Sequence, residues 1–208
     1  MDRLSEIIRI LRIEIGNPNP IIGNNDPFKV LISTVLSQRT RDENTYAASK
    51  SLFLKYDTPK KIADADIRDV ENLIKRSGFY HVKAKRIKDI SKDILENFNG
   101  QVPAGLDDLL TLPGVGRKTA NCVLVYGFNI PAIPVDTHLH RIPNRIGIVN
   151  TKTPEQTEIE LMKLVKKKDW LLINDLFVKF GQKICRPVRP GCSKCPIEKY
   201  CDYGAKVL

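Results

Sequence analysis

Apolar residues recur at helical spacing along nearly all of this 208-residue chain, and nowhere do they alternate as they would in a half-buried strand. Leu4, Ile7, Ile8, Leu11 and Ile15 form one stripe, which Gly16 and Pro18 end. Asp26-Pro27 supplies an N-cap followed by proline at the first helical position, with Phe28, Leu31, Ile32, Val35 and Leu36 as the buried face behind it. Thr58-Pro59 repeats that start for a short helix. Val70, Leu73 and Ile74 mark another helix, and Ala84, Ile87, Ile90 and Ile94 the next. Leu106, Leu109 and Leu110 lead into a tight turn, and a second helix is predicted from about Arg117 to Tyr126. Beyond Asp136 the pattern predicts a helix through Arg145, another through Glu160 and Leu164, and a last one through Leu176 and Phe180. The fold class is all-α.

Two turn-rich breaks divide this helical array. One is Asn17–Asn25, the other Phe128-Asn129-Ile130-Pro131. They predict a central helical domain over 22–132 and a discontinuous domain built from 1–21 and 133–208. Basic residues number 34 against 24 acidic ones, for a formal charge of +10. That excess favours a polyanionic partner, nucleic acid ahead of a membrane surface, although on charge alone an ordinary basic cytoplasmic protein fits as well. Asp2, Glu6 and Glu14 interrupt the first segment, which argues against a signal peptide. No apolar run approaches the roughly 18–20 residues that a membrane helix needs. The expected setting is a reducing cytosol or nucleoid, where clustered cysteines hold metal more often than they pair.

The turn Leu112-Pro113-Gly114-Val115-Gly116 reads as a sharp hairpin between two helices, within a helix-hairpin-helix of about 106–127. Glycines without a Cβ let such a backbone approach a phosphate closely. Lys118 stands directly behind the turn, and eighteen residues later Asp136 opens another helix. An amine and a carboxylate beside a phosphate-binding hairpin suggest chemistry on a nucleic acid. Each also has a plainer reading: the lysine as a phosphate contact, the aspartate as an N-cap on the Thr137–Leu139 amides. Near the end of the sequence, Cys185, Cys192, Cys195 and Cys201 share a loop rich in Pro and Gly, with six, two and five residues between successive cysteines. Zinc modules usually pair two short knuckles across a longer gap. One short knuckle with two wide arms suits an iron–sulfur cluster better, with zinc as the alternative. Cys122, among apolar neighbours, reads as a packing residue.

The hairpin Leu112–Lys118, the run Val135-Asp136-Thr137-His138 and the cysteine loop 185–201, in this order, resemble the endonuclease III branch of the helix-hairpin-helix DNA glycosylases. The likeness runs from about Asp26 to Cys201. It implies two helical domains flanking a DNA-binding cleft, damaged double-stranded DNA bent with the lesion nucleotide turned out, and a [4Fe-4S] cluster on Cys185, Cys192, Cys195 and Cys201. It also implies excision of oxidised or ring-saturated pyrimidines, followed by cleavage at the abasic site. By motif match Lys118 corresponds to the attacking amine and Asp136 to the essential carboxylate. Gly114, Val115 and Gly116 would hold the backbone beside the lesion, and the protein would act in the cytoplasm, at the nucleoid, as a monomer.

Relatives commonly fill the space left by the extruded base with a glutamine. Here Arg39 falls at that place, with Gln38 one residue earlier, so either is a candidate DNA contact. Related adenine-mismatch glycosylases carry a catalytic glutamate where this chain has Thr34. Gly78-Phe79-Tyr80-His81-Val82-Lys83-Ala84 matches a second family turn. Phe79 is its candidate wedge into the duplex, with packing between helices as the plainer role. Lys83, Lys85, Arg86 and Lys88 follow as phosphate contacts, and Arg186, Arg189 and Lys194 are basic residues that a cluster would hold toward DNA. His138 and His140 are left outside the catalytic set. Two other functions compete: a uracil or thymine mismatch glycosylase on the same fold, and a non-catalytic iron–sulfur DNA-binding protein.

Overall fold

A computed structural model describes residues 2–16 and 26–207. Every regular element among them is helical, as the spacing predicts. The break at Asn17–Asn25 lies outside the described residues. The chain divides into two compact units, one of Met1–Pro20 with Pro131–Leu208, the other of Ile21–Ile130.

The unit of Ile21–Ile130 begins with α2 (Pro27–Ser37), α1 being the Arg3–Ile15 helix of the other unit. The Asp26 carboxylate caps α2 by accepting from the amides of Phe28 (2.9 Å) and Lys29 (3.2 Å). Along α2, Val30, Leu31, Ile32, Val35 and Leu36 are wholly buried, so the helix is the unit's centre. Around it pack α3 (Asp42–Lys55), α6 (Tyr80–Asn97) and α8 (Arg117–Cys122). Two short helices, α4 (Pro59–Asp64) and α5 (Ile67–Leu73), pack against α6. Thr58 caps α4 through its hydroxyl, which accepts from Lys61 N at 3.3 Å. At the other end of α4, the Lys88 ammonium donates to the carbonyls of Ala63 (2.8 Å) and Ala65. Lys88 is therefore a C-terminal helix clamp and not the phosphate contact that its neighbours in sequence suggest.

The hairpin joins α7 (Leu106–Thr111) to α8. Its second helix is predicted as one α-helical run to about Tyr126, but the α-helix stops at Cys122. A π-helical turn follows over Val123–Gly127. That wider turn brings Gly127 onto the start of α2, where a Cβ would come within 2.9 Å of the Pro27 Cα. The hairpin is thereby fixed to the central helix.

In the other unit, α1, α9 (Thr137–Ile146), α10 (Pro154–Leu164) and α11 (Trp170–Lys183) share one core. Ile7, Leu11, Ile133, Leu139, Ile142, Leu161, Leu176 and Phe177 are at most 1% exposed within it. The cysteine loop follows α11 and carries two 3₁₀ turns, Cys192–Lys194 and Glu198–Tyr200, before α12 (Gly204–Val207). Ile197 roots the loop in the core, and Cys185, Cys195, Tyr200 and Cys201 pack partly against it.

Candidate active site and nucleic-acid interface

The hairpin closes through Val115 N–H, which donates to Leu112 O at 3.1 Å. Gly114 adopts φ 71°, the left-handed region, and a Cβ there would lie within 2.7 Å of Arg86 Cδ. The conformation favours glycine, and a Cβ would have to displace the end of the Arg86 side chain. Gly116 is extended, and a Cβ on it would meet nothing within 4 Å. Gly114 and Gly116 are exposed, whereas Val115 is 6% exposed. Val115 is grouped with the DNA contacts by its sequence position, but its side chain anchors the turn inward and its amide is already bonded. Lys118 sits in the first turn of α8, two residues past Gly116, and is half-buried.

Three elements meet behind the hairpin at Gln38, the C-cap of α2. Its Oε1 accepts from Arg86 Nη1 of α6 at 2.9 Å, and its Nε2 lies 3.5 Å from Thr119 Oγ1 of α8. The amide that the sequence places beside DNA is therefore engaged within the unit. The neighbouring Arg39 differs: it is exposed, has φ 52°, and its guanidinium bonds none of the described residues. Thr34, at the position of the mismatch enzymes' glutamate, is buried and returns its hydroxyl to Val30 O at 2.8 Å.

Lys83 is the largest departure from the sequence reading. It is expected among the phosphate contacts, yet it is 3% exposed. Its ammonium donates to Leu36 O (2.7 Å), Gln38 O (2.6 Å), Thr40 Oγ1 (2.9 Å) and Ser77 Oγ (2.9 Å). The carbonyls at the C-terminus of α2 lack partners within the helix, and a cation is the natural group to satisfy them. Burial, with the nearby charge of Arg86, lowers the Lys83 pKa from 10.5 to about 8, which still leaves an ammonium at neutral pH. Lys83 is a structural clamp. The turn it holds leads to Phe79, which has φ 59° and remains 63% exposed, as a wedge would require.

In the other unit, Asp136 caps α9 as its plainer reading predicts: one carboxylate oxygen accepts from His138 N (2.9 Å) and Leu139 N (2.8 Å). The chain leading to it is held by Asn174 Nδ2, which donates to Pro134 O at 2.6 Å. The cap fixes the carboxylate's direction and leaves its second oxygen without either amide. His138 packs where Gly181 of α11 leaves room, since a Cβ there would come within 3.0 Å of the imidazole Cγ. Burial lowers its pKa, opposed by Asp136. His140 Nδ1 pairs with Thr157 Oγ1 at 2.6 Å. Both histidines are structural.

Cys185, Cys192, Cys195 and Cys201 are free thiols, and all four line one pocket whose remaining wall includes Ile146, Phe180, Ile184 and Ile197. Burial pushes the Cys195 thiol up to about 11 and raises Cys192, with the neighbouring cysteines adding to both. Four sulfurs facing one apolar pocket are a donor set that calls for a cationic centre. A tetrahedral zinc would draw all four to about 2.3 Å from one point. All four border one shared space. The donor set fits a polyatomic iron–sulfur cluster, with zinc as the alternative.

Two arginines that sequence reasoning passed over hold the first arm of this loop. Arg141 Nη2 donates to Cys185 O at 2.8 Å. Arg145 donates to Arg186 O (2.6 Å) and Pro187 O (2.7 Å), and stacks on Tyr203 at 4.9 Å. Their spacing of four residues on α9 was the available signal, because it sets both on one face. Arg186, Arg189 and Lys194 project from the loop and are exposed.

Residues 32–167 match the family described as HhH-GPD superfamily base excision DNA repair protein. The chain belongs to that family. Within it, the likeness is to endonuclease III. The Endonuclease III of Thermotoga maritima is 55% identical over 178 residues, covering 86% of this chain and 84% of that protein. A trapped Endonuclease III–DNA covalent intermediate, described as an estranged-adenine complex, superposes with a TM-score of 0.89 at 32% identity, over 99% of this chain and 98% of that one. A thermostable thymine-DNA glycosylase superposes at 0.86 with 26% identity, over 98% and 97%. The chain is thus a base-excision DNA glycosylase and abasic-site lyase of the endonuclease III family. This sets aside the non-catalytic DNA-binding reading.

Proposed function

We propose that this enzyme excises oxidised or ring-saturated pyrimidines from duplex DNA and then cuts the strand 3′ to the abasic site. The observation that carries the proposal is Lys118 in the first turn of α8, directly behind an exposed glycine hairpin whose Gly114 takes the left-handed conformation that favours glycine. The hairpin backbone holds the phosphates beside the lesion, and the damaged nucleotide must leave the stack because its C1′ is shielded within a duplex. The neutral Lys118 amine attacks C1′, and the bond to the base breaks with the electron pair leaving on the base. Ring opening gives a Schiff base between Nζ and C1′. Loss of a C2′ proton then expels the 3′ phosphate. Asp136, aimed by its two cap bonds, offers its remaining carboxylate oxygen to the positive charge that develops on the sugar. Reaction requires both groups at the same nucleotide.

Cys185, Cys192, Cys195 and Cys201 would hold a [4Fe-4S] cluster, which supplies a rigid centre for the loop that carries Arg186, Arg189 and Lys194. Those three side chains, with Arg39 and Phe79, complete the proposed DNA contacts. We place the enzyme in the cytoplasm at the nucleoid, as a monomer. Among the described residues no helix is long and apolar enough to cross a membrane.

A second reading, a uracil or thymine mismatch glycosylase, is favoured by Arg39 at the expected glutamine position and by the likeness to a thymine-DNA glycosylase. Single-turnover excision from duplexes carrying thymine glycol, 5-hydroxycytosine, uracil or mismatched thymine separates the two. Release of the oxidised bases with a 3′ unsaturated aldehyde and a 5′ phosphate at the nick supports the first reading. Release of uracil or mismatched thymine, with the oxidised bases left in place, replaces it by the second.

A further inference from the structure

The first helix of the chain meets the last arm of the cysteine loop. Asp2 caps α1 by accepting from Ser5 N–H at 2.8 Å, and Leu4, Ile7, Ile8 and Leu11 seat the helix in the core of its unit. Arg3, the first residue of α1, is thereby delivered to that arm. Its Nη2 is shared by three oxygens, Tyr200 O (2.5 Å), Ile146 O (2.6 Å) and Asp202 Oδ1 (2.7 Å), and its Nε donates to Tyr200 O at 3.1 Å. Ile146 is the final residue of α9. Cys201, the last of the four sulfurs, lies between the two loop residues that Arg3 grips. Its arm is laid against the end of α9 by Asp202 N–H to Ile146 O (3.2 Å) and Tyr203 N–H to Arg145 O (3.1 Å). Gly147 leaves room for the Asp202 carboxylate, which a Cβ there would displace. The other sulfurs have their own anchors: the Cys185 arm hangs on Arg141 and Arg145, and the turn of Cys192 and Cys195 closes through Cys195 N–H to Cys192 O at 3.0 Å.

We propose that Arg3 is the latch of the metal pocket: it positions Cys201, and so sets how fast the bound centre loses iron. The inference rests on the proposed cluster, since it needs a centre held by Cys201. Such a centre is dismantled from the ligand arm that opens most often, because a chelator must reach an exposed iron. Surface arms near a chain end are the segments that open at the lowest free energy. Arg3 closes this one by joining it to α1 and α9 at once. A guanidinium suits the place, since its donors lie in a fixed fork that can serve two carbonyls and a carboxylate together, whereas an ammonium is a mobile point charge. The ion pair with Asp202 is open to water, its side chains being 41% and 57% exposed, so the bonds to the two carbonyls carry the hold. Arg3 is thus a positioning residue for the cluster, and α1 is part of the metal site although it supplies no ligand.

The test is iron release from the purified holoenzyme, followed as loss of its visible absorption in excess bathophenanthroline under a reducing buffer. Arg3→Met should release iron roughly 5- to 50-fold faster, the span of one or two lost hydrogen bonds from a charged donor at a partly exposed site. Arg3→Lys, which keeps the charge but not the fork, should fall between wild type and Arg3→Met. Asp202→Asn, which removes only the ion pair, should stay within about twofold of wild type. Amide exchange separates a latch from a general loss of fold: in Arg3→Met it should quicken over 198–204 and stay slow in α9 and α11. Unchanged release from Arg3→Met overturns the inference, and so does exchange that quickens equally in α9 and α11. Release from Asp202→Asn as fast as from Arg3→Met overturns it too. Zinc in place of iron in the wild type would sink the cluster alone. The latch then stands or falls on the same order of rates for zinc transfer to a chromogenic chelator.

Discussion

Replacing Lys83 by methionine tests whether a buried ammonium is the clamp at the end of α2. Methionine keeps the length and apolar stem but offers no donor. Four oxygens then face a methyl group, and a buried acceptor that loses its partner costs about 1–3 kcal/mol. Two of them keep a second donor: Leu36 O retains Ser77 Oγ at 2.9 Å, and Gln38 O retains Thr40 Oγ1 at 3.3 Å. The expected loss is therefore about 5 kcal/mol, toward the low end of four such terms. Against this, burial already penalises the ammonium. Its folded pKa of about 8 lies below the ordinary 10.5, and that depression corresponds to about 3 kcal/mol at neutral pH, which the variant recovers. The net destabilisation is about 2 kcal/mol, or a fall in Tm of roughly 4–8 °C in a chain of this size.

The pH dependence supplies an independent signature. Because the folded pKa is the lower one, the unfolded chain binds more protons between about pH 8 and 10.5. Stability contributed by Lys83 must therefore rise through that window and be flat below it. Lys83→Met has no such slope. In paired thermal melts the gap between wild type and variant should widen from pH 7 to pH 9.5, with other titrating groups common to both. A variant that melts with wild type or above it refutes the clamp, and a gap that narrows as pH rises refutes the lowered pKa of Lys83.

Three further outcomes follow from the site. Asp136→Asn keeps a side chain that caps nearly as well as aspartate, so it should lose under about 1 kcal/mol of stability and retain DNA binding, while single-turnover base release falls at least a hundredfold; equal loss of binding and release would reduce Asp136 to a cap. Gly114→Ala forces a Cβ into the left-handed region and against Arg86, which should cost about 1–3 kcal/mol in urea unfolding and weaken binding to abasic duplex; unchanged affinity would remove the hairpin from the interface. Cys195→Ser should lose the bound iron and the visible absorption of the purified protein and expose the loop 186–200 to protease, while amide exchange in α2 and α8 stays slow; zinc in place of iron in wild type would overturn the cluster.

Much of the fold was legible because its signals are local. The caps of Asp26 and Thr58 and the end of α1 at Gly16 depend on a few neighbouring residues, and the structure has them where the pattern predicts. Asp136 was legible as a cap for the same reason. What escaped depends on distant backbone. Lys83 reads like any lysine in a basic run, and only the arrival of the α2 carbonyls from some forty-five residues away makes it internal. Lys88 was misread for the same cause, its acceptors being the carbonyls that end α4. Gln38 and Arg39 were indistinguishable in one dimension, since nothing in the sequence reveals that Arg86 and Thr119 would claim the amide. The left-handed backbone at Arg39 and Phe79 was hidden too, because neither residue type advertises φ > 0. At Gly114 the type and the conformation agree, and there the turn could be read directly.

The central claim is that Lys118 Nζ becomes bonded to the sugar. Incubation with duplex DNA containing one natural abasic site, in the presence of borohydride, reduces the Schiff base to a stable amine, and peptide mass mapping then locates the modified residue. The adduct should sit on the peptide containing Lys118 and vanish in Lys118→Ala, which should still bind a duplex carrying a tetrahydrofuran abasic analogue. An adduct on any other lysine or on the N-terminal amine, or undiminished trapping in Lys118→Ala, would contradict the mechanism.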